Sequence, residues 1–171
     1  MRYLLSLTLT VFFSSVVFGQ TAEYQYNRGS YLAATGSFSE ALPYYDEALK
    51  MDPKLNEAWF SRGEAKYRLG DYRGAISDFS KALVLKPNNK DAFFFRAACN
   101  SKLADLTSAL IDYSEAIALQ PAYAEAYLNR GNCKYKLNDK LGACEDWTKA
   151  GEFGLSNPNN ENYCKSLTAS R

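Results

Sequence analysis

The chain has 171 residues, 47% of them hydrophobic, with 20 Lys and Arg against 19 Asp and Glu and no histidine. This length allows one sizeable core or a short array of repeats, and the balanced charge gives no reason to expect a nucleic acid partner. Without histidine, the chain lacks the commonest general base, the commonest metal ligand and every Ser–His or Cys–His nucleophile pair.

The first 19 residues have the layout of a secretory signal peptide. Arg2 is followed by an apolar run over residues 3–18, and the small Gly19 precedes Gln20. We expect cleavage after Gly19, which predicts an exported protein of the periplasm, the outer envelope or the secreted fraction. The alternative is an uncleaved anchor helix, but the run is somewhat shorter than the roughly 20 residues that a membrane span needs. The first cysteine is Cys99, which argues against a lipid-anchored lipoprotein.

A 34-residue periodicity follows, marked first by Pro53, Pro87 and Pro121. Other residue types recur at the same spacing: two rows of alanine, one of large aromatics, and one of arginine followed by a small residue. These rows are Ala41, Ala75, Ala109 and Ala143; Ala48, Ala82, Ala116 and Ala150; Tyr45, Phe79, Tyr113 and Trp147; and Arg28, Arg62, Arg96 and Arg130. The spacing predicts units of two helices joined by a tight turn, in which small residues let backbones approach and aromatic rings fill the remaining volume.

The segments that flank the second helix of each unit carry helix-starting and helix-ending residues. The position before that helix is occupied by Ser37, Asp71, Asp105 and Asp139, whose side-chain oxygens can accept hydrogen bonds from free N–H groups. Ser37 with Glu40 predicts a capping box. The three prolines predict where the second helices end. We also expect the small residue after each arginine to contact the first alanine of the second helix.

These rows closely resemble the tetratricopeptide repeat family. The resemblance covers residues 22–157 in four units, 22–55, 56–89, 90–123 and 124–157. The large residue that the family has early in its first helix is matched by Trp59, Phe93 and Tyr127. The first unit departs from this pattern with Gln25, and the last unit has Leu155 where a proline is expected.

The resemblance implies an all-α fold, an α-α superhelix in the form of a right-handed solenoid. We assign residues 158–171 to a C-terminal cap and tail, because the last apolar face of a solenoid needs a polar cover. Residues 159–167 are expected to form the capping helix.

The arginine row could be interpreted as a binding site for phosphate or carboxylate groups. However, an aspartate follows the arginine by 16 residues in units two to four, at Asp78, Asp112 and Asp146. This spacing predicts ion pairs inside each unit. In the first unit the equivalent residue is Tyr44, which leaves Arg28 without this partner.

The four cysteines fall into two pairs of different character. Cys99 and Cys133 occupy the same place in adjacent units, where we expect small buried residues without a bond between them. Cys144 and Cys164 could form a disulfide that pins the cap, worth about 3 kcal/mol from loop-closure entropy, or they could stay reduced. No CxxC pair is present to begin a zinc site, so we expect no metal.

The resemblance also implies a concave groove, lined by the first helix of each unit, that holds a peptide. The groove candidates are Tyr26, Phe60, Glu64, Tyr67, Phe94, Phe95, Asn129, Asn132 and Tyr135, and Lys102 and Lys136 face the same side. Phe94 and Phe95 are extra rings next to the packing aromatic Phe93, although one of them could pack against a neighbouring unit. The basic clamp with which some family members hold a chaperone's C-terminal carboxylate is absent from the matching positions.

The sequence therefore predicts a non-catalytic, exported scaffold that binds a peptide or partner protein in the groove. The alternative is a structural subunit or assembly factor of a cell-envelope complex that docks through its convex face or its ends. We expect no cofactor, no nucleic acid, no small-molecule substrate, membrane contact only through the signal peptide, and a monomer.

Overall fold

The computed structural model describes residues 21–169, so the predicted signal peptide lies outside the described part of the chain. Residues 21–169 form nine α-helices and contain no strand, which confirms the all-α solenoid. The helices are α1 (Ala22–Ala34), α2 (Phe38–Met51), α3 (Asn56–Arg68), α4 (Tyr72–Leu85), α5 (Lys90–Lys102), α6 (Leu106–Leu119), α7 (Ala124–Lys136), α8 (Lys140–Glu152) and α9 (Pro158–Ala169).

The array is curved, and its curvature follows from which helices touch. Each odd-numbered helix from α1 to α7 packs against the even-numbered helix that follows it, and consecutive odd-numbered helices also touch. Consecutive even-numbered helices make no comparable contact within residues 21–169. The helices α1, α3, α5 and α7 therefore line the inner, concave face, and α2, α4, α6 and α8 form the convex face.

Both alanine rows lie where helices cross. Ala75, Ala109 and Ala143 are fully buried, and so are Ala48 and Ala82 of the other row. A larger side chain at these positions would separate the backbones, because a packed interior has no spare volume. Small residues at regular positions thus set the distance between neighbouring helices.

The glycine after the arginine lies against an aromatic ring in the first, second and fourth units. A Cβ atom added to Gly63 would lie 2.9 Å from the Phe79 ring, and one added to Gly131 would lie 2.8 Å from the Trp147 ring. Gly131 also approaches the first alanine of its second helix, as the sequence suggested, with the added Cβ 3.1 Å from the Ala143 carbonyl oxygen. The missing side chain is therefore replaced by the ring from the aromatic row.

The helix caps agree with the sequence in three units and differ in the first. Asp71, Asp105 and Asp139 each accept a hydrogen bond from the backbone N–H three residues later. Ser37 makes no such bond, so the predicted capping box is wrong. Its ψ of 57° differs from the extended 150° of Thr21, whose hydroxyl does cap α1. The three aspartates have ψ values similar to that of Ser37. At such angles the longer aspartate carboxylate reaches the N–H group, whereas the serine hydroxyl does not.

The predicted arginine–aspartate pairs are present in the second, third and fourth units. In the second unit, Arg62 donates from Nε to Asp78 at 2.9 Å and from a terminal nitrogen to the other carboxylate oxygen at 2.7 Å. The same two-bond arrangement joins Arg96 to Asp112 and Arg130 to Asp146. In the first unit, the Arg28 guanidinium instead lies 5.0 Å from the centre of the Tyr44 ring.

The C-terminal helix α9 is longer than predicted and packs against α8. A disulfide joins Cys144 of α8 to Cys164 of α9, with Cα atoms 5.6 Å apart. The Tyr163 ring of α9 contacts the rings of Tyr135 and Trp147 in the array. Within residues 21–169, each helix is too short or too polar to cross a membrane.

Candidate functional site

The concave face contains two cavities. The first, which we call the N-terminal cavity, has a volume of about 390 Å³ and is lined by Tyr26, Ser30, Ala33, Phe38, Tyr45, Ser61, Glu64, Ala65 and Arg68. The second, the C-terminal cavity, has a volume of about 310 Å³ and is lined by Tyr67, Phe94, Ala98, Ser101, Lys102, Tyr113, Asn129, Asn132 and Lys136. Most of these residues belong to odd-numbered helices, because those helices form the inner side of the curve.

The nine groove residues predicted from the sequence divide into three groups. Tyr26 and Glu64 line the N-terminal cavity. Four others line the C-terminal cavity: Tyr67, Phe94, Asn129 and Asn132. The remaining three line neither cavity: Phe60, Phe95 and Tyr135.

Phe95 belongs to the packing between the second and third units. Its ring stacks on Phe79 with centres 5.7 Å apart, and it meets Phe60 and Tyr67 edge-on. Of the two extra rings, Phe95 is therefore the one that packs against a neighbouring unit. Phe60 also contacts Phe79, so the pair forms a partly buried aromatic cluster and not a free binding surface.

Phe94 has a double role as packing residue and cavity wall. It contacts Tyr113 edge-on at 5.7 Å and stacks on Tyr123 at 5.0 Å between ring centres. These contacts fix the orientation of the ring while it lines the C-terminal cavity together with Tyr67. A rigid aromatic wall of this kind can bury an apolar side chain with little loss of conformational entropy.

Tyr135 lies near the end of the array. Its ring contacts Trp147 at 5.6 Å and meets Tyr163 of α9 edge-on at 5.3 Å between ring centres. The structure therefore assigns Tyr135 to the support of the cap. The sequence placed it in the groove because its register position matches that of other groove residues, but its neighbour on one side is α9 and not another repeat.

The polar lining of the C-terminal cavity consists of groups that can donate hydrogen bonds. Asn132 accepts a hydrogen bond from the Trp147 indole N–H at 3.0 Å through its side-chain oxygen, and its amide nitrogen makes no such bond. Asn129 has no side-chain partner among the described residues, and Lys102 and Lys136 form no ion pair there. The cavity therefore combines two aromatic walls with several solvent-accessible donors that have no protein partner among the described residues.

The sequence pattern did not identify every residue of the two cavities. Phe38 and Tyr45 of α2 and Tyr113 of α6 form part of the lining, although they belong to the helices of the convex side. The signal for two of them was present, since Tyr45 and Tyr113 are members of the aromatic row. Their rings are large enough to extend from the second helix to the concave face.

Glu64 is the one acidic residue that lines the N-terminal cavity. Burial raises the pKa of its carboxyl group, and the charge of Asp91 acts in the same direction, while Arg68 opposes the shift. A raised pKa means that folding favours the protonated acid. The ionised carboxylate is therefore a source of instability at neutral pH.

We expect Glu64→Gln to stabilise the protein at pH 7 and to lose this advantage as the pH falls. Below the ordinary glutamate pKa of 4.5, the carboxyl group is protonated in both the folded and unfolded states. Glutamine and neutral glutamic acid should then give the same free energy of unfolding. Thermal unfolding from pH 3 to pH 8 measures the difference. Glu115→Gln, an exposed residue of α6, controls for the loss of one negative charge. A stabilisation that is the same at every pH would contradict this explanation.

The two free cysteines are poorly suited to act as nucleophiles or metal ligands. Cys99 and Cys133 are both buried, and burial raises the pKa of the Cys99 thiol to about 12 and shifts that of Cys133 upward as well. A thiol that stays protonated at neutral pH is neither a good nucleophile nor a good metal ligand. In the described part of the chain, no three cysteine or acidic side chains come together as a metal site.

The fold and the concave face define the class of the protein as a helical repeat protein with cavities on its concave face. The family model for the tetratricopeptide repeat matches residues 26–90 and 62–124, which together span more than half of the chain. The chain therefore belongs to the tetratricopeptide repeat family. No curated protein matches the sequence at a significant level.

Several solved structures are similar to the chain. A crystal structure of MamA protein is 23% identical with a TM-score of 0.77, and the match covers 86% of this chain and 90% of that chain. MamA from Desulfovibrio magneticus RS-1, from residue 41 to its end, is 28% identical with a TM-score of 0.74 over 78% of this chain and 75% of that one. The first tetratricopeptide repeat domain of Spaghetti (RPAP3), bound to the HSP90 peptide SRMEEVD, is 26% identical with a TM-score of 0.67, covering 70% of this chain and 95% of that chain.

Proposed function

We propose that the protein is an exported, non-catalytic scaffold that binds an extended segment of a partner protein in its concave groove. The observation that carries this proposal is the C-terminal cavity, where aromatic walls lie beside donors that have no protein partner among the described residues. An extended segment needs both features, because it presents apolar side chains and unpaired backbone carbonyl groups at once. The complex of the RPAP3 domain with a peptide supports the same use of the fold.

Export is supported by two independent features. The first is the signal-like sequence of residues 1–19. The second is the disulfide between Cys144 and Cys164, since such bonds persist mainly in oxidising compartments. We therefore propose that the protein works in the periplasm, at the outer envelope or in the secreted fraction, as a monomer.

A second candidate function is docking through the convex face, as a structural subunit or assembly factor of an envelope complex. It is favoured by two exposed apolar side chains on that face. Val84 of α4 is 77% exposed and Ile111 of α6 is 60% exposed. Exposed apolar side chains on a convex surface can mark a contact with another protein.

One capture experiment separates the two functions. The tagged full-length protein is expressed in its own cells, and the proteins that it captures are identified by mass spectrometry. We expect Asn129→Tyr to abolish capture, because the larger side chain fills the C-terminal cavity. Circular dichroism must show that this variant remains folded.

The matched control for the groove variant changes the convex face. Val84→Ser combined with Ile111→Ser removes the exposed apolar surface and should leave capture intact if the groove binds the partner. The groove function is wrong if the convex variant abolishes capture and Asn129→Tyr does not. In that case the partner docks on the even-numbered helices.

A further inference from the structure

We infer that the segment bound in the C-terminal cavity is acidic, and that its aspartate or glutamate side chains pair with Lys102 and Lys136. This inference rests on the proposed function, because it specifies the chemistry of the segment that the groove binds. Both lysines line the cavity, as the last residues of α5 and α7. They occupy the same register position one repeat apart.

The two lysines differ from other lysines of the concave helices in lacking a carboxylate partner. Lys66 of α3 pairs with Asp78 at 2.8 Å, and Lys134 of α7 pairs with Asp146 at 3.0 Å. Lys136, only two residues beyond Lys134, forms no ion pair within the described residues, and neither does Lys102. The internal acids of the array are thus used by one set of cations, and the cavity retains two that are unpaired.

The charges in the two cavities are arranged so that an acidic segment would favour one end of the groove. Both charged residues of the C-terminal cavity are lysines, and it has no acidic lining residue. The N-terminal cavity contains Glu64, whose carboxylate would repel an acidic ligand, next to Arg68. Like-charge contacts of this kind suppress wrong binding positions. Acidic residues should therefore enter at the α5 and α7 end.

The spacing of the lysines suggests a pattern for the acidic residues. Neighbouring packed helices lie about 8–10 Å apart. Side chains on one side of an extended chain repeat about every 7 Å. Two acidic residues separated by one other residue can therefore reach both long, flexible lysine side chains. The residue between them would point away from the lysines.

A random heptapeptide library displayed on phage tests the inference with the full-length protein as bait. We expect the selected peptides to be enriched in aspartate and glutamate, with two acids separated by one residue. The variant Lys102→Gln with Lys136→Gln should lose this enrichment and should bind a selected acidic peptide about tenfold more weakly. The variant Lys102→Glu with Lys136→Glu should select basic peptides in place of acidic ones.

The matched control is Lys81→Gln with Lys86→Gln, which changes the net charge by the same amount. Both lysines are exposed, and Lys86 directly follows α4, so it reproduces the helix-end location of the cavity lysines. This control should keep the acidic preference. The inference is overturned if the selected peptides are neutral or basic, or if the control and the cavity variant behave alike.

The same library separates this inference from the function on which it rests. If peptides are selected but carry no acidic preference, and Asn129→Tyr still abolishes their binding, the groove function stands and only the acidic chemistry is wrong. If no peptide is selected, or if Asn129→Tyr binds every selected peptide as well as the unaltered protein does, both the groove function and the inference are wrong.

Discussion

Asp78→Ala will destabilise the protein by about 3–5 kcal/mol, because it leaves buried positive charge without its counter-ion. The Asp78 side chain is only 2% exposed, and it holds both Arg62 and Lys66 at distances of 2.7 and 2.8 Å. Arg62 keeps its contact with Asp46, which is mostly exposed and therefore a weaker partner. Urea unfolding followed by circular dichroism measures the loss, which is a large part of the stability of a domain of this size.

Two variants show whether the cost comes from the unpaired charge. In the first unit Tyr44 occupies the position of the aspartate, so Tyr44→Ala removes a ring contact with Arg28 without unpairing an ionic partner and should cost less than Asp78→Ala. Arg62→Met combined with Lys66→Met and Asp78→Leu replaces all three charges by apolar side chains and should recover most of the stability lost in Asp78→Ala. If this triple variant is as unstable as Asp78→Ala, packing volume and not charge explains the effect.

The fold could be predicted from the sequence because each repeated row corresponds to one physical contact. Alanine recurs at Ala75 and Ala109 since only a small residue fits where two helices cross, and both are fully buried. The 16-residue spacing from Arg62 to Asp78 spans two helices and a turn, so it brings the two side chains together in every unit that keeps both residues. Such contacts lie inside one unit and are therefore visible in its sequence.

The contacts that the sequence could not predict lie between units or depend on fine backbone angles. The sequence left open which of Phe94 and Phe95 packs against a neighbouring unit, and it could not show that Tyr135 packs on the capping helix α9. Ser37 fails to cap α2 because the backbone angle at this position favours the longer aspartate side chain, and that angle cannot be read from the sequence. The position of each side chain in these cases is set by its neighbours in space, which a single repeat does not contain.

The candidate site was partly predictable for the same reason. Register alone places Tyr67, Phe94, Asn129 and Asn132 on the concave face, and they do line one cavity. Register cannot show that Lys136 lacks a partner while Lys134 has one, because both are lysines near the same helix end. The charge of the groove depends on which acids are already paired, and that is a property of the assembled array.

Cys144→Ser combined with Cys164→Ser will loosen α9 and leave the repeats folded. The disulfide closes a segment of 20 residues, and a loop of that length contributes about 3 kcal/mol from restricted chain entropy. Since a tenfold change in an equilibrium corresponds to about 1.4 kcal/mol, the backbone amides of α9 should exchange with deuterium about a hundredfold faster. Hydrogen–deuterium exchange with mass spectrometry measures this change helix by helix.

The effect should be confined to α9 because α9 has so few other attachments. It packs on α8, none of its described side chains is fully buried, and its aromatic contacts come from Tyr163 against Tyr135 and Trp147. Tyr163→Ala with the disulfide intact is the matched control, and it should change exchange in α9 much less than the double serine variant. Treatment of the unaltered protein with a dithiol should reproduce the serine variant, since the two other cysteines form no disulfide. If α9 stays protected after either treatment, its non-covalent contacts hold the cap, and the disulfide contributes little to covering the end of the array.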